Sequence, residues 1–163
     1  MKSVLSAAVP GFLALGLAST SALAQADPAT TTFQVSALVL KDCIVSATAL
    51  TFGIYTGAVN SAQSIITVTC TNSTTYTVGL GTGLTSGATV TTRQMQNGSA
   101  LLNYGLFSNG TWTTNWGNTS VTNWVSGTGN GSGQTLNVYG QIPANQYVTP
   151  GSYTDTIAAT VTY

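Results

Sequence analysis

Short runs of alternating apolar and polar residues follow one another along the chain, separated by clusters of Gly, Asn, Ser and Pro. Alternation with a period of two is typical of β-strands with one buried face. The pattern predicts strands at 32–40, 43–55 (broken at 47–49), 64–71, 75–80, 100–108, 134–142 and 152–163. No helical period of useful length occurs after the first 26 residues. Regularly spaced strands with turn signals between them predict an all-β sandwich.

The last predicted strand, 152–163, has one apolar face and one face of mostly Thr residues. The apolar face consists of Tyr153, Ile157, Ala159 and Val161. Asp155 lies in phase with that face, and we expect it at the rim or hydrogen-bonded there, because an unpaired buried carboxylate is costly. No further strand follows in the sequence, so we expect this strand to leave an apolar edge that needs a cover.

The first predicted strand also lacks an assigned neighbour. Its alternation puts four apolar side chains on one face, namely Phe33, Val35, Ala37 and Val39. Leu38 and Leu40 are apolar on the opposite face, which leaves open the register, or a bulge that shifts it midway. The strand either completes its own sandwich or enters that of another copy, and a head-to-tail insertion of that kind builds an open fibre. The pattern alone leaves both solutions open.

Residues 1–26 differ from the rest of the chain. A basic residue, Lys2, precedes an apolar run, and small-residue cleavage patterns end at Ala24 or Ala26. This arrangement predicts a secretory signal peptide, cleaved after Ala24 or Ala26. The alternative, a membrane anchor, is disfavoured because Pro10 and Gly11 interrupt an apolar run that is too short for a full span. We therefore expect an exported protein with no membrane insertion.

Composition narrows the classes of function. The formal net charge is zero and only 4% of the residues are charged, which indicates no nucleic-acid partner. Cys43 and Cys70 are the only two cysteines, and an exported protein meets oxidising conditions, so we predict that they form a structural disulfide.

The chain is not expected to be an enzyme. It contains no His, so a Ser or Cys nucleophile would lack an imidazole partner. Its acidic residues are Asp27, Asp42 and Asp155, which provide no clear pair for carboxylate chemistry. Two thiols without His make a poor metal site. We predict no catalytic residues, no metal and no cofactor.

Motifs in sequence order carry a resemblance to a known family. They are FQVSA at 33–37, LTFGIY at 50–55, ITVTCT at 66–71, Arg93-Gln94-Met95, LLNYGLF at 101–107, Trp116-Gly117, NVYGQIPANQ at 137–146 and PGSYTDTIAATVTY at 150–163. Together they cover essentially the whole chain after the signal. The chain resembles the spore-coat-U-like family, which includes the pilin subunits of archaic chaperone–usher pili, and looks most like a major shaft pilin.

The resemblance implies an incomplete immunoglobulin-like β-sandwich that is completed by a donor strand from a neighbouring subunit. By it, residues 27–40 are the donor segment and residues 41–163 the pilin domain. The donor residues are then Phe33, Val35, Ala37 and Val39, and the acceptor groove is formed by Tyr153, Ile157, Ala159 and Val161.

The same resemblance implies the partners and the location. A periplasmic chaperone first lends a strand to the subunit, and an outer-membrane usher exchanges that strand for the donor segment of the next subunit. The expected product is a homopolymer on the cell surface with a tip adhesin, serving adhesion and biofilm formation.

Two non-enzymatic alternatives remain, a secreted β-sandwich coat protein and a carbohydrate-binding module. Trp112, Trp116 and Trp124, with Tyr104 and Asn-rich loops nearby in sequence, are candidates for a sugar-stacking platform. We favour the interpretation that these rings pack in the sandwich or between subunits, because Trp and Tyr serve either role.

Overall fold

The structure, a computed structural model, describes residues 27–118 and 123–163. The chain divides into two compact units, Met1–Ala37 and Leu38–Tyr163. In the first unit, residues 27–37 are exposed and form no strand. The predicted signal peptide, 1–26, lies outside the described residues, and no described helix is long and apolar enough to cross a bilayer.

The second unit is built from strands in two sheets. The strands are β1 (Cys43–Ala47), β2 (Asn60–Cys70), β3 (Thr75–Leu80), β4 (Arg93–Asn97), β5 (Ala100–Phe107), β6 (Val125–Thr128), β7 (Gln134–Ile142) and β8 (Ala159–Thr162). One sheet has the order β1-β2-β7-β5-β4 and the other the order β6-β3-β8. The predicted all-β sandwich is confirmed.

The core lies between the two sheets and follows from strand alternation. In β2, Ile66, Val68 and Cys70 are buried while the residues between them are partly or fully exposed. In β3, Tyr76, Val78 and Leu80 are buried, and Thr77 is partly exposed. Leu102, Tyr104, Leu106, Trp116, Val138 and Ile142 complete the cluster.

Three predicted strands are shorter than expected or absent, whereas β2 starts at Asn60, before the predicted start at Ser64. The strand predicted at 43–55 ends at Ala47, and the one predicted at 152–163 has ladder pairing only over Ala159–Thr162. Residues 32–40 form no strand. In each case the alternation is present, but a strand also needs a neighbour to accept its backbone hydrogen bonds. These shortened elements therefore mark edges without a partner among the described residues.

Two strands were not predicted. β4 has the sequence RQMQN, whose polar residues hide its alternation, and β6 is only four residues long and contains Gly127. Both are held by their neighbours, because β4 pairs with β5 and β6 pairs with β3.

The predicted disulfide between Cys43 and Cys70 is present, and it joins two residues that are directly paired between β1 and β2. β1 is an edge strand of its sheet and is only five residues long. The bridge therefore fixes the start of the domain to the buried end of β2.

We expect Cys43→Ser to lower the free energy of unfolding by roughly 3–4 kcal/mol, because the open loop regains conformational entropy in the unfolded chain. The measurement is the denaturation midpoint of the purified subunit, with Cys43→Ser/Cys70→Ser as the matched control without an unpaired thiol. Equal midpoints for wild type under oxidising and reducing conditions would show that the bridge is not stabilising.

The strand directions define two ends of the domain. β2 runs from Asn60, paired with Ile142, to Cys70, paired with Cys43. We call the Asn60 end the upper pole and the Cys70 end the lower pole. Tyr163 lies at the lower pole, where its hydroxyl donates to Asp42 Oδ1 over 3.5 Å.

Candidate strand-acceptor groove

A groove of about 1320 Å³ opens into the core of the second unit. Its two walls are the segments 47–57 and 146–159, which include the parts of the predicted strands 43–55 and 152–163 that form no ladder. Its floor consists of core side chains, namely Ile66, Leu80, Met95, Leu102, Tyr104, Leu106, Val138 and Ile142. The volume exceeds the roughly 300–1,000 Å³ of common small-molecule pockets.

The first wall, 47–57, packs by its side chains. Leu50 and Phe52 lie against the core over Gly140, where an added Cβ would come within 2.9 Å of Leu50 and 2.8 Å of Phe52. Asn60 Nδ2 donates to the carbonyls of Phe52 (2.9 Å) and Ile54 (3.1 Å) and so fixes the upper part of the wall. The absence of a side chain at position 140 thus allows Leu50 and Phe52 to pack closely over β7.

The second wall, 146–159, is tied on the side facing away from the slot. Thr154 exchanges two backbone hydrogen bonds with Gln96 of β4, and the carbonyl of Ala158 accepts from Gly81 N. Tyr153 donates through its hydroxyl to the carbonyl of Thr149 over 2.7 Å. These bonds hold the segment in place without using its other edge.

Backbone groups along both walls lack backbone partners. Among the described residues, no backbone–backbone hydrogen bond involves 49–56, and none involves 155–157. An exposed sheet edge of this kind is a template for another strand. The groove therefore offers two strand edges and an apolar floor, which are the contacts that one extended segment with alternating apolar side chains would make.

Asp155 is the one charged residue in the lining, and its carboxylate is satisfied. Oδ2 accepts from the Tyr104 hydroxyl (2.7 Å), and Oδ1 accepts from the backbone N–H of Leu84 (2.8 Å) and Thr156 (2.7 Å). Burial, together with the bond to Asp155, raises the pKa of Tyr104 well above its usual range, so the phenol remains a donor. Across the described residues no three His, Cys, Asp or Glu side chains group as metal ligands would.

Arg93 joins segments of the chain next to the second wall, since Gly81, one of its partners, donates to Ala158 of that wall. It is fully buried, and it donates to four carbonyls, those of Gly81 (2.8 Å), Val90 (2.8 Å), Leu80 (3.0 Å) and Trp116 (2.7 Å). Burial lowers its pKa to about 10, partly offset by Tyr104 and Asp155, so the side chain stays cationic at neutral pH. The sequence contained a signal for this role, because Arg93 is an isolated cation in a nearly uncharged chain.

Three of the four residues assigned to the acceptor groove line it, namely Tyr153, Ile157 and Ala159. Val161 does not belong to the lining; it is half-buried in β8 and paired with Val78. The first wall and most of the floor were not assigned to the site from the sequence. LTFGIY at 50–55 was the available signal, since it alternates like a strand.

The residues assigned to the donor strand are exposed. The exposed fraction is 84% for Phe33, 82% for Val35 and 81% for Val39, and Ala37 is exposed as well. Such exposure of large apolar side chains in one short segment is typical of a surface that binds another protein.

The aromatic residues considered for sugar stacking do not form one exposed platform. Trp116 is buried and donates through Nε1 to the carbonyl of Val78 over 2.9 Å, and Tyr104 is buried in the core. Trp112 and Trp124 are each half-buried. Trp116 and Tyr104 therefore present no free ring face to a ligand.

Comparisons with known proteins agree with this geometry. The profile of the Spore Coat Protein U domain matches residues 29–160. No curated protein sequence matches the chain. Among solved structures, the chain is similar to a chain of the CsuC–CsuE chaperone–tip adhesion subunit pre-assembly complex from the archaic chaperone–usher Csu pili of Acinetobacter baumannii, with 25% sequence identity and a TM-score of 0.55.

That similarity covers 77% of this chain and 40% of the other, so the chain spans less than half the length of its structural relative. The family and this neighbour indicate a structural protein rather than an enzyme. With the profile matching over most of its length, the chain belongs to the Spore Coat Protein U domain family.

Proposed function

We propose that the chain is a structural subunit of a chaperone–usher pilus, polymerised by donor-strand complementation. The observation that carries the proposal is the groove. Each of its walls contains a stretch, 49–56 in the first and 155–157 in the second, without backbone partners among the described residues, and its floor is apolar. Residues 30–40 of one subunit fill this groove in the next subunit, with Phe33, Val35, Ala37 and Val39 directed at the floor.

The lengths of the donor and the groove agree. A strand rises about 3.3 Å per residue, so the wall from Ala47 to Ile54 is about 23 Å long. The segment from Phe33 to Val39 is about 20 Å long when extended. The donor therefore fills most of the slot without leaving a long unpaired stretch of wall.

The chemistry of donor and groove also agrees. Four donor side chains are apolar, and the floor is formed mainly by aliphatic and aromatic side chains. Their burial contributes on the order of 5–10 kcal/mol, an upper value because ordering the segment opposes it. New ladder hydrogen bonds along both walls add to this.

A shaft role follows from the presence of a donor segment and an acceptor groove in one sequence. Each copy can then be donor to one neighbour and acceptor to another, which gives a homopolymer. In this proposal a periplasmic chaperone occupies the groove before assembly, and an outer-membrane usher exchanges it for the donor strand. The proposal is supported by the structural relative, which is a pre-assembly complex of a chaperone and a subunit. A tip adhesin ends the fibre, which serves adhesion and biofilm formation at the cell surface.

Electron microscopy of material sheared from producing cells tests this function. We expect thin fibres that contain this chain, and a soluble complex of the chain with a chaperone in the periplasm. The contrary result is a stable secreted monomer whose own residues 30–40 fill the groove, as in a single-domain coat or binding protein.

A further inference from the structure

Insertion of the donor strand into the groove does not account for four large apolar side chains that are exposed. Ile54 and Tyr147 lie at the upper end of the groove, and each is 87% exposed. Leu38 and Leu40 are 84% and 70% exposed, and they are on the face of the donor segment opposite Val35 and Val39. A role for these residues rests on the proposed function.

The two walls of the groove run in opposite directions. The first wall rises from β1 at the lower pole towards Asn60, which holds the Ile54 carbonyl at the upper pole. The second wall descends towards Tyr163, which meets Asp42 at the lower pole. Any strand inserted between them is therefore parallel to one wall and antiparallel to the other.

The short connection between the donor segment and its own domain determines to which of the two walls the donor is parallel. With Val39 in the groove, only residues 40–42 remain before Cys43, a reach of about 14 Å. The lower pole of the donating subunit thus lies close to the point where its donor strand leaves the acceptor. If that point were the acceptor's lower pole, the lower poles of the two subunits would face each other. The acceptor's own donor segment also starts from its lower pole, so it would have to leave through the same contact. An open head-to-tail fibre needs two different surfaces, so the donor leaves at the upper pole.

This direction places the end of the donor beside the exposed residues of the acceptor. The donor runs parallel to the first wall, so Val39 reaches the level of Ile54. Tyr147 lies at the same pole, with its ring 3.4 Å from the position of a Cβ on Gly57. We propose that Leu38 and Leu40 of one subunit cover Ile54 and Tyr147 of the next, forming a second, apolar contact between the poles of neighbouring subunits.

This contact explains the unusual phase of the donor segment. Leu38 and Leu40 need no bulge that turns them into the groove, because each has a partner on the outside of it. It also explains why two large side chains at the rim of the groove remain exposed in a single subunit. The poles then meet through packed side chains, in addition to the inserted strand.

Cross-linking of assembled fibres tests the contact. Leu38→Cys and Ile54→Cys are combined in one chain, sheared fibres are treated with a short bismaleimide, and the subunits are separated under denaturing, reducing conditions. We expect the monomer band to be lost to a regular ladder of covalent oligomers. The matched control combines Leu38→Cys with Thr135→Cys, because Thr135 is exposed on β7 near the lower pole; its fibres should give no ladder.

The outcomes separate this inference from the function on which it rests. Fibres that form normally but give no ladder overturn the pole contact and leave donor-strand assembly standing. Absence of fibres from wild-type cells overturns the function itself. If the double variant does not assemble, the two single variants are expressed together; a covalent dimer supports the contact, and its absence from mixed fibres overturns it.

Discussion

Replacing Val35 by Asp is expected to abolish fibre growth while leaving a subunit that still folds on its chaperone. Val35 belongs to the donor segment, and its side chain is 82% exposed in the free chain, so the substitution costs the isolated domain little. In the fibre the same side chain would lie on the apolar floor of the next groove. A carboxylate buried there without a partner costs several kcal/mol, comparable with the whole gain from the donor's apolar side chains.

The measurement is the amount of polymer in sheared material, compared with the amount of chaperone-bound subunit in the periplasm. Ser36→Asp is the matched control, since position 36 faces away from the floor in the proposed register. We expect that control to assemble within a few-fold of wild type. Equal loss with both substitutions would indicate a charge effect on the whole segment, and normal fibres with Val35→Asp would exclude this register.

The faces of the strands were predictable from the sequence because alternation reports burial directly. In the last segment, Tyr153, Ile157, Ala159 and Val161 are half-buried and pack against the core, and the residues between them, apart from Asp155, are exposed. Asp155, in phase with the apolar residues, is hydrogen-bonded as expected. The local pattern was thus sufficient to predict the buried face of a segment wherever that face packs against the core.

The extent of the strands was not predictable in the same way. Alternation continues beyond Ala47 and before Ala159, yet no ladder forms there, because a ladder depends on a neighbour that the pattern of one segment does not describe. β4 and β6 show the reverse case, since both form beside strong neighbours despite weak patterns. The segments that alternate like strands but form no ladder are informative, because they lie in the two walls of the groove.

The scaffold behind the groove was also beyond sequence reasoning. Arg93 was identifiable as an isolated cation, but its four carbonyl partners come from three separate parts of the chain. Only folding brings Leu80, Val90 and Trp116 together around one guanidinium. The same applies to Gly140, whose missing side chain matters because Leu50 and Phe52 cross over it.

A copy of residues 30–40 appended after Tyr163 is expected to convert the subunit into a stable monomer. From the second wall the chain continues to Tyr163 at the lower pole, so an appended strand can turn back and rise between the walls. A flexible linker of about four residues is enough for such a hairpin. The thermal midpoint should rise by roughly 10–20 °C over the uncomplemented subunit, because several kcal/mol of apolar burial is gained within one chain.

Size-exclusion chromatography and thermal unfolding of the purified protein measure this result, and Val35→Asp within the appended copy is the matched control that should remain unstable. The linker also tests the direction of the donor strand. A donor running the other way would begin at the upper pole, and its linker would have to cross the groove, about 23 Å, which requires at least seven residues. A protein that is stabilised by a linker of about twelve residues but not by one of four would therefore reverse the donor direction and separate Leu38 from Ile54. Stabilisation by the short linker supports the direction on which both the fibre and the pole contact depend.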